Sequence, residues 1–456
     1  MTARLRPIEA VTAPAAAVPE RRGACPALDA PMQTGDGLLL RLSPATGGVS
    51  PNQLSALCDS ALRHGNGTVE VTARGSFQFR GFDDETAARF AEDVAEAGIA
   101  VRTGVPVDIS PLAGQDPAEI ANPRPIANAI RDGIASRGLR TRLAPKISVV
   151  VDGGGRISLD TLVADVRLKA VRIDGEVAWA LAIGGDAAHA VPLGHHDATT
   201  AISVALAILA KIAFLGPQAR GRDLAPNDQH AAPGPASSPD TQANPAPSAM
   251  DAWRYPLSDR RVALRIALPF GSTTAETLSR WAQEAQARGV TDIRPAPLRG
   301  LLAICPGNAS SLGLRAVAAN LGFITGDDVR TAIAACPGAP ACAAGRIATR
   351  AVAEEAARLL AGHASTLPAI HVSGCAKGCA RPAAAAITVV GVESGGALVV
   401  DGTTRATPVA YTNSEELASA IAATVRAYQR ETPADGGGLP AAAHARIAAA
   451  FEERDR

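Results

Sequence analysis

Cys336 and Cys342 bracket the loop Pro337-Gly338-Ala339-Pro340-Ala341, and Cys375 and Cys379 bracket Ala376-Lys377-Gly378. Two loops therefore offer four thiolates, the number that closes a [4Fe-4S] cubane. Zinc sites draw a ligand pair from a tight turn of about two to four residues, so the longer first loop fits zinc poorly and leaves it the lesser alternative. The four thiols fall within 44 residues of a chain whose seven cysteines are an odd number. That pattern favours metal ligation over disulfides.

The flanking segments suit such a centre. A helix with Val352, Ala356, Leu359 and Leu360 on its apolar face follows Cys342. The first loop thus stands by a helix N-terminus, whose unpaired N–H groups donate to anionic sulfides. The second pair follows Ile370-His371-Val372-Ser373, a strand end where Gly374 and Gly378 let backbone approach the inorganic core.

Val69 to Gly81 alternates so that Arg74, Ser76, Gln78 and Arg80 share one strand face and Phe77 and Phe79 the other. Guanidinium forks grip carboxylates, so this face suits a ligand ringed with acetate and propionate arms; the alternative is a solvated face with surface ion pairs. Lys146 opens a further strand, sharing a face with Ser148 and Asp152 while Ile147, Val149 and Val151 point away. His195 and His196 are adjacent on a strand and point to opposite faces, which argues against a shared mononuclear iron. Cys58, on an apolar helix face, and Cys305, after Leu301 to Ile304, read as packing. Cys25 has no nearby His partner and receives no catalytic role. No G-x-G-x-x-G follows a strand, so direct NADH binding has no support.

The chain has 456 residues, 47% of them hydrophobic, enough for two or three cores. Forty-four basic residues balance forty-four acidic ones, so nothing global draws it to nucleic acid or to a membrane, and an anion site must be a local patch. Ala201 to Leu215, the longest apolar run, contains Lys211 and reads as a buried helix. The expected address is cytoplasmic. Ala225 to Met250 is nearly all Ala, Pro, Ser, Asp and Asn and splits the chain. The pieces on either side look alike. Leu38 to Leu42 precedes a helix opening at Ser50-Pro51-Asn52-Gln53, and Val262 to Ile266 precedes one opening at Thr273-Thr274-Ala275-Glu276, both written as capping boxes. Each helix is followed by an arginine-bearing segment ending in Arg-Gly, and Lys146 to Val151 parallels Ala386 to Val390. An internal duplication is the simplest account, with a large ligand at the seam.

The Cys-x5-Cys loop, the distant Gly-Cys-x3-Cys loop and the following Arg381-Pro382 resemble the siroheme and [4Fe-4S] signature of ferredoxin-dependent nitrite and sulfite reductases. The resemblance implies an α+β, internally duplicated fold about a pseudo-two-fold axis. Ferredoxin-like half-domains are expected at 30–100 and 253–324, a first α/β domain at 101–222 and a cluster-binding α/β domain at 325–430. A disordered leader over 1–29, a linker over 223–252 and a C-terminal tail over 431–456 complete the expectation. The resemblance also implies that Cys379 bridges the cluster to a siroheme iron as axial ligand. Arg74, Gln78, Arg80 and Lys146 would contact the tetrapyrrole, and Arg74 and Lys146 would serve catalysis.

Arg22-Gly23-Ala24-Cys25-Pro26, Met32 to Gly37, Ser110-Pro111-Leu112-Ala113-Gly114 and Ser373 to Ala380 bring the chain nearest to the oxygen-using branch of this family, in aerobic cobalamin biosynthesis. That branch implies a monooxygenase acting on precorrin-3A with O2, hydroxylating C20 with lactone formation. Its NADH-derived electrons would come from a separate reductase, and siroheme, mononuclear iron or neither would accompany the cluster. The reductases carry Lys-x-Lys where this chain has Lys146 and Ser148, and Arg-Asn where it has Val105-Pro106. Both departures count against reduction of a small oxyanion. A siroheme-dependent nitrite or sulfite reductase, and a noncatalytic iron-sulfur electron-transfer protein, stand as the alternatives.

Overall fold

The computed structural model describes residues 26–224, 253–362, 367–433 and 439–452. The expected leader up to residue 25, with Cys25, and nearly all of the expected linker lie outside the described residues.

Two smaller sheets pack on one shared core. One runs in the order Met32–Thr34, Gly37–Leu42, Phe77–Phe82, Thr68–Val71, Ser272–Thr274; the other runs Arg254–Pro256, Val262–Ala267, Gly300–Cys305, Ile293–Ala296. Their inner faces and the helices Pro51–His64 and Ala275–Ala287 share one core, to which Leu40, Leu57, Phe77 and Phe79 contribute from the first half and Leu264, Trp281 and Leu301 from the second. Period-two alternation places Leu40, Phe77 and Phe79 on one face of the first sheet and Leu264 and Leu301 on one face of the second, and Leu57 and Trp281 reach the core from the helices. The first helix opens on the expected capping box: Ser50 Oγ accepts from Gln53 N–H at 3.2 Å, and Gln53 Oε1 accepts from Ser50 N–H at 2.9 Å. The second opens one residue later than expected, with Thr274 Oγ1 accepting from Thr277 N–H at 3.2 Å. Thr273 is committed to strand pairing with Val69, so Glu276 has no box to close.

The expected continuous strand from Val69 to Gly81 is broken. A turn over Thr72–Ser76 interrupts it, closed by Thr72 N–H to Ser76 O at 2.9 Å and Gly75 N–H to Thr72 O at 3.0 Å. Gly75 adopts φ +82°, where a side chain is strained. Arg74 therefore sits on a hairpin tip and does not share a strand face with Arg80. Lys146 likewise precedes its strand, which begins at Val149. Ile147 N–H closes a turn on Ala144 O at 3.0 Å, with Pro145 at the position where a fixed φ favours turning.

Two larger sheets repeat one topology. The order Val107–Ile109, Val149–Asp152, Ala164–Ile173, Glu176–Gly185, Val191–His196 is matched by Ile333–Ala335, Ile370–Ser373, Ala385–Val392, Gly395–Gly402, Ala410–Thr412. In both, the first three strands are parallel and the last two antiparallel. This corrects the sequence pairing of Lys146 to Val151 with Ala386 to Val390. Val149–Asp152 answers to Ile370–Ser373, the strand that leads into Cys375. The helix Ala198–Leu215 is long and apolar enough to cross a membrane by composition alone, yet Ala201, Ala205, Leu209 and Ile212 are buried in the core of its sheet. Within the expected tail, Ala441–Glu452 is a helix whose Ala443, Ile447 and Phe451 fill the last core.

Candidate functional site

Each larger sheet sends two loops from the ends of its first two strands. Ser110 follows Val107–Ile109 and Gly153 follows Val149–Asp152; Cys336 follows Ile333–Ala335 and Gly374 follows Ile370–Ser373. The same hydrogen bonds order both sets. Asp116 N–H donates to Leu112 O at 3.1 Å where Cys342 N–H donates to Gly338 O at 2.7 Å, and Glu119 N–H reaches Asp116 O at 3.1 Å where Gly345 N–H reaches Cys342 O at 2.8 Å. Ile120 N–H to Gly153 O and Arg346 N–H to Gly374 O, both 2.8 Å, tie the two loops of each set together. Ser110 thus stands where Cys336 does, and Asp116 where Cys342 does.

The first crossing is stitched by carboxylates. Asp116 Oδ2 accepts from Arg156 N–H on the opposite loop at 2.6 Å, and Asp152 accepts from Gly154 N–H at 2.8 Å and Leu159 N–H at 2.9 Å. The second crossing has thiols instead, and Gly374 N–H points at Cys336 Sγ from 3.2 Å. A Cβ on Gly374 would lie 3.1 Å and 3.2 Å from the Cα atoms of Gly338 and Gly345, so only glycines let the three backbones meet. Among the described residues no three His, Cys, Asp or Glu side chains converge closely enough for a single metal ion. A cubane spreads its thiolates over separate corners. The residues fit such a group: four thiols on two loops, at a crossing whose counterpart is bridged by an anion, with a backbone donor aimed at sulfur.

Two arginines, one from each half, grip these loops by a carbonyl. Arg80, 3% exposed, donates to Ala341 O at 2.7 Å and to both oxygens of Asp36 at 3.0 Å and 2.7 Å, with Glu70 3.7 Å away. Burial opposes its charge, but the Asp36 hydrogen bond and the Glu70 charge outweigh it and raise the guanidinium's pKa. Arg350 bridges Glu70 to Ser272. Arg299 donates to Ala380 O, next to Cys379, at 2.7 Å. It shares a hairpin tip with Leu298, both at φ +60°, a left-handed pair that costs about 1–3 kcal/mol per residue. Burial and the nearby Arg350 and Arg381 lower its pKa. His371 is fully buried with neither ring nitrogen hydrogen-bonded; burial, then Arg381 and Arg299, push it down to about 4.

A separate cleft of about 370 Å³ opens between the first half's hairpin tip, the strand end at Arg294–Pro297 and the helix Arg124–Ser136. Arg74, Arg102, Arg124, Arg131 and Arg294 line it against a single lining carboxylate, Asp108. Arg74 holds Asp108 at 2.8 Å and Val163 O at 2.7 Å, and Arg102 holds the other Asp108 oxygen at 3.2 Å. Among the described residues Arg124 and Arg131 donate to neutral acceptors, Ala113 O at 2.9 Å for the first, Asn128 Oδ1 at 2.8 Å and Val107 O at 2.7 Å for the second, with the charges of Glu119 and Asp292 near the first and of Asp108 near the second. None of the lining residues belongs to the cysteine loops.

Residues 30–97 match the family model of the nitrite/sulfite reductase ferredoxin-like half domain. The fold is that of the Mycobacterium tuberculosis NirA protein, at TM-score 0.71 and 18% identity over 87% of this chain and 82% of that one. A ferredoxin–nitrite reductase of Synechococcus elongatus is 27% identical over 32% of this chain and 31% of its own length. A precorrin-3B synthase of a Sinorhizobium species is 39% identical over 443 residues, 95% of each chain. The chain belongs to the precorrin-3B synthase family. The duplicated α+β architecture expected from the sequence is therefore shown, and the nitrite reductase likeness is its wider context.

Within this family member the structure separates residues that the sequence grouped. Arg74 lines the cleft; Gln78, Arg80 and Lys146 do not. Arg80 is engaged by Asp36, Glu70 and the first cysteine loop, and Gln78 pairs across the sheet between Arg41 and Glu70. Cys58 and Cys305 are buried as expected, and burial pushes the Cys305 thiol up to about 11. His196 Nε2 lies 3.3 Å from Leu193 O, and neither it nor His195 joins a set of ligands among the described residues. Sequence reasoning missed Arg124, Arg131, Arg294, Arg299 and His371. The spacing of the two loop sets carries one usable signal: Arg124 and Arg350 stand equally far beyond Ile120 and Arg346, at matching helix starts.

Proposed function

We propose that this chain is a precorrin-3B synthase, a cytoplasmic monooxygenase that converts precorrin-3A to precorrin-3B by hydroxylating C20 with lactone formation. The near full-length likeness to a synthase of that name carries the reading. One oxygen atom of O2 enters the product; the other leaves as water, with a pair of NADH-derived electrons delivered by a separate reductase. Cys336, Cys342, Cys375 and Cys379 would hold the [4Fe-4S] cluster, which supplies single-electron transfer when bound. Cys379, at the exposed edge of its loop, is the candidate to face a siroheme or mononuclear iron. Gly374 N–H and the carbonyl grips of Arg80 and Arg299 fix the loops that carry the thiols.

The arginine cleft suits the acidic rim of a tetrapyrrole, with Arg74 as the family-matched contact. Reduction of sulfite or nitrite needs several cations converging on one small anion, both to bind it and to deliver protons. Where the reductases carry a second lysine this chain has Ser148, buried and uncharged, so that cation is missing. The test supplies cluster-replete protein with precorrin-3A, a reductant and labelled O2. An oxygenated tetrapyrrole carrying the label is expected, with negligible sulfite or nitrite reduction by reduced viologen. Robust turnover of either anion, or an unlabelled product, refutes the reading.

A further inference from the structure

The two smaller sheets match row by row. Arg41, Gln78 and Glu70 lie side by side across the first sheet, and Arg265, Leu302 and Arg294 occupy the same row of the second, beside the core rows Leu40-Phe79-Val69 and Leu264-Ala303-Ile293. Glu70 and Arg294 are therefore counterparts. So are Arg350 and Arg124, by the loop correspondence already described. On the cysteine side Arg350 forms an ion pair with Glu70. On the other side the same two positions hold two cations, Arg124 and Arg294. The duplication has kept the frame and reversed one charge.

That reversal leaves arginines in excess of carboxylates: Asp292 and Asp108 pair with Arg294, Arg74 and Arg102, while Arg124 and Arg131 donate to neutral groups. Arg294 is 7% exposed and is held from behind by Asp292 at 2.7 Å, by Gln115 Oε1 at 2.9 Å and by Pro111 O at 2.6 Å. Burial and the Arg294 charge lower the pKa of Arg124, and burial and Arg102 lower that of Arg131. Guanidiniums that repel one another in a partly desolvated cleft are stabilised by an anion that bridges them. Their planar forks match carboxylates. The volume of about 370 Å³ lies toward the small end of ligand sites, roughly 300–1,000 Å³, and takes an edge with its arms in preference to a whole macrocycle.

We propose that this cleft is a receptor for two or more carboxylate arms of one tetrapyrrole, with Arg124, Arg131 and Arg294 gripping them alongside Arg74 and Arg102. The identity of the ligand rests on the proposed function; the polycarboxylate chemistry rests on the cleft. Each fork removed should cost a charged hydrogen-bond pair, a loss of roughly tenfold or more in affinity.

Uroporphyrin, an octacarboxylate tetrapyrrole, is titrated into the full chain by fluorescence, with dicarboxylate protoporphyrin for comparison. Wild type should bind uroporphyrin more tightly than protoporphyrin. Arg124→Gln and Arg131→Gln should each raise the uroporphyrin Kd about tenfold, while Arg89→Gln, on an exposed helix face, leaves it unchanged. Arg131→Lys keeps the charge without the fork and should weaken binding too, which preserves the test should Arg131→Gln fold poorly. Equal Kd values in wild type and both glutamine variants overturn the proposal, as does displacement of uroporphyrin by sulfate at equal concentration. Binding needs neither cluster nor turnover. A loss confined to these variants upholds the site even where precorrin-3A is not converted, and unchanged binding overturns it even where precorrin-3A is converted.

Discussion

Arg80→Met removes a buried cation from between two carboxylates and should destabilise the fold well before it alters recognition. Breaking a buried ion pair from one side costs about 3–5 kcal/mol, because the partner charge stays desolvated. Here the lower end applies. Asp36 keeps Thr34 Oγ1 at 2.8 Å and Asn66 Nδ2 at 3.0 Å, and Glu70 keeps Arg350. About 3 kcal/mol in a cooperative unit of some 150–250 residues lowers the melting temperature by roughly 6–12 °C. Arg74→Gln provides the contrast: its side chain is 34% exposed and Asp108 keeps Arg102, so the loss should stay under about 1 kcal/mol. Thermal unfolding followed by circular dichroism, at matched iron content, compares the two. Adding Asp36→Asn to Arg80→Met should recover part of the loss, since it removes one stranded charge. An Arg80→Met protein that melts with wild type, or an Arg74→Gln protein that falls as far, would refute this division of labour.

Two further outcomes follow from the cysteine side. Serine at Cys336, Cys342, Cys375 or Cys379 should lower bound iron and inorganic sulfide, while Cys58→Ala, a change in the core, should not; full cluster content in any two of the four serine variants contradicts the ligand assignment. His371 is pushed from 6.5 to about 4, so the unfolded chain binds a proton that the folded chain rejects. Stability is then complete above pH 6.5 and declines as pH falls from 6.5 toward 4, by roughly 2 kcal/mol at pH 5. His371→Leu should lose that much less between pH 7 and pH 5 in urea unfolding, and an unchanged acid sensitivity would remove His371 from the account.

Much of this was legible in the residues, and the failures share a cause. The thiol loops, the capping box at Ser50 and the twofold repeat are local patterns, fixed by spacing along the chain. The strand through Arg74 was misread because its alternation continues across Gly75, and only a positive φ there turns the chain. The pairing of Lys146 to Val151 with Ala386 to Val390 failed because buried parallel strands are uniformly apolar, so composition does not say which strand answers to which. Arg80 carried the fork chemistry expected of it, but its partners are Asp36, 44 residues away, and Ala341, 261 residues away. Alternation says which side an arginine faces and nothing about what waits there.

The duplicated frame also explains why the thiol loops and the arginine cleft separate as they do. In both large sheets two loops must cross at the strand ends, and crossing backbones with unpaired N–H groups require an acceptor. The first half meets this with Asp116 and Asp152, fixed charges that need no ligand. The second half has Cys342 at the Asp116 position and further thiols where the first half has Gly154 and Ser158. On the proposed reading, cluster sulfur there takes over the bridging role of a carboxylate. A second exchange accompanies the first. The crossing with thiols has Glu70 to absorb Arg350, whereas the crossing closed by aspartate faces Arg294, whose charge opposes that of Arg124. On the two proposals, each half would take one anion from outside the chain, a cluster at the thiol loops and a carboxylate arm at the arginine cleft, and the hairpin tips carrying Arg74 and Arg299 touch between them through Leu298 N–H and Ala73 O at 3.0 Å.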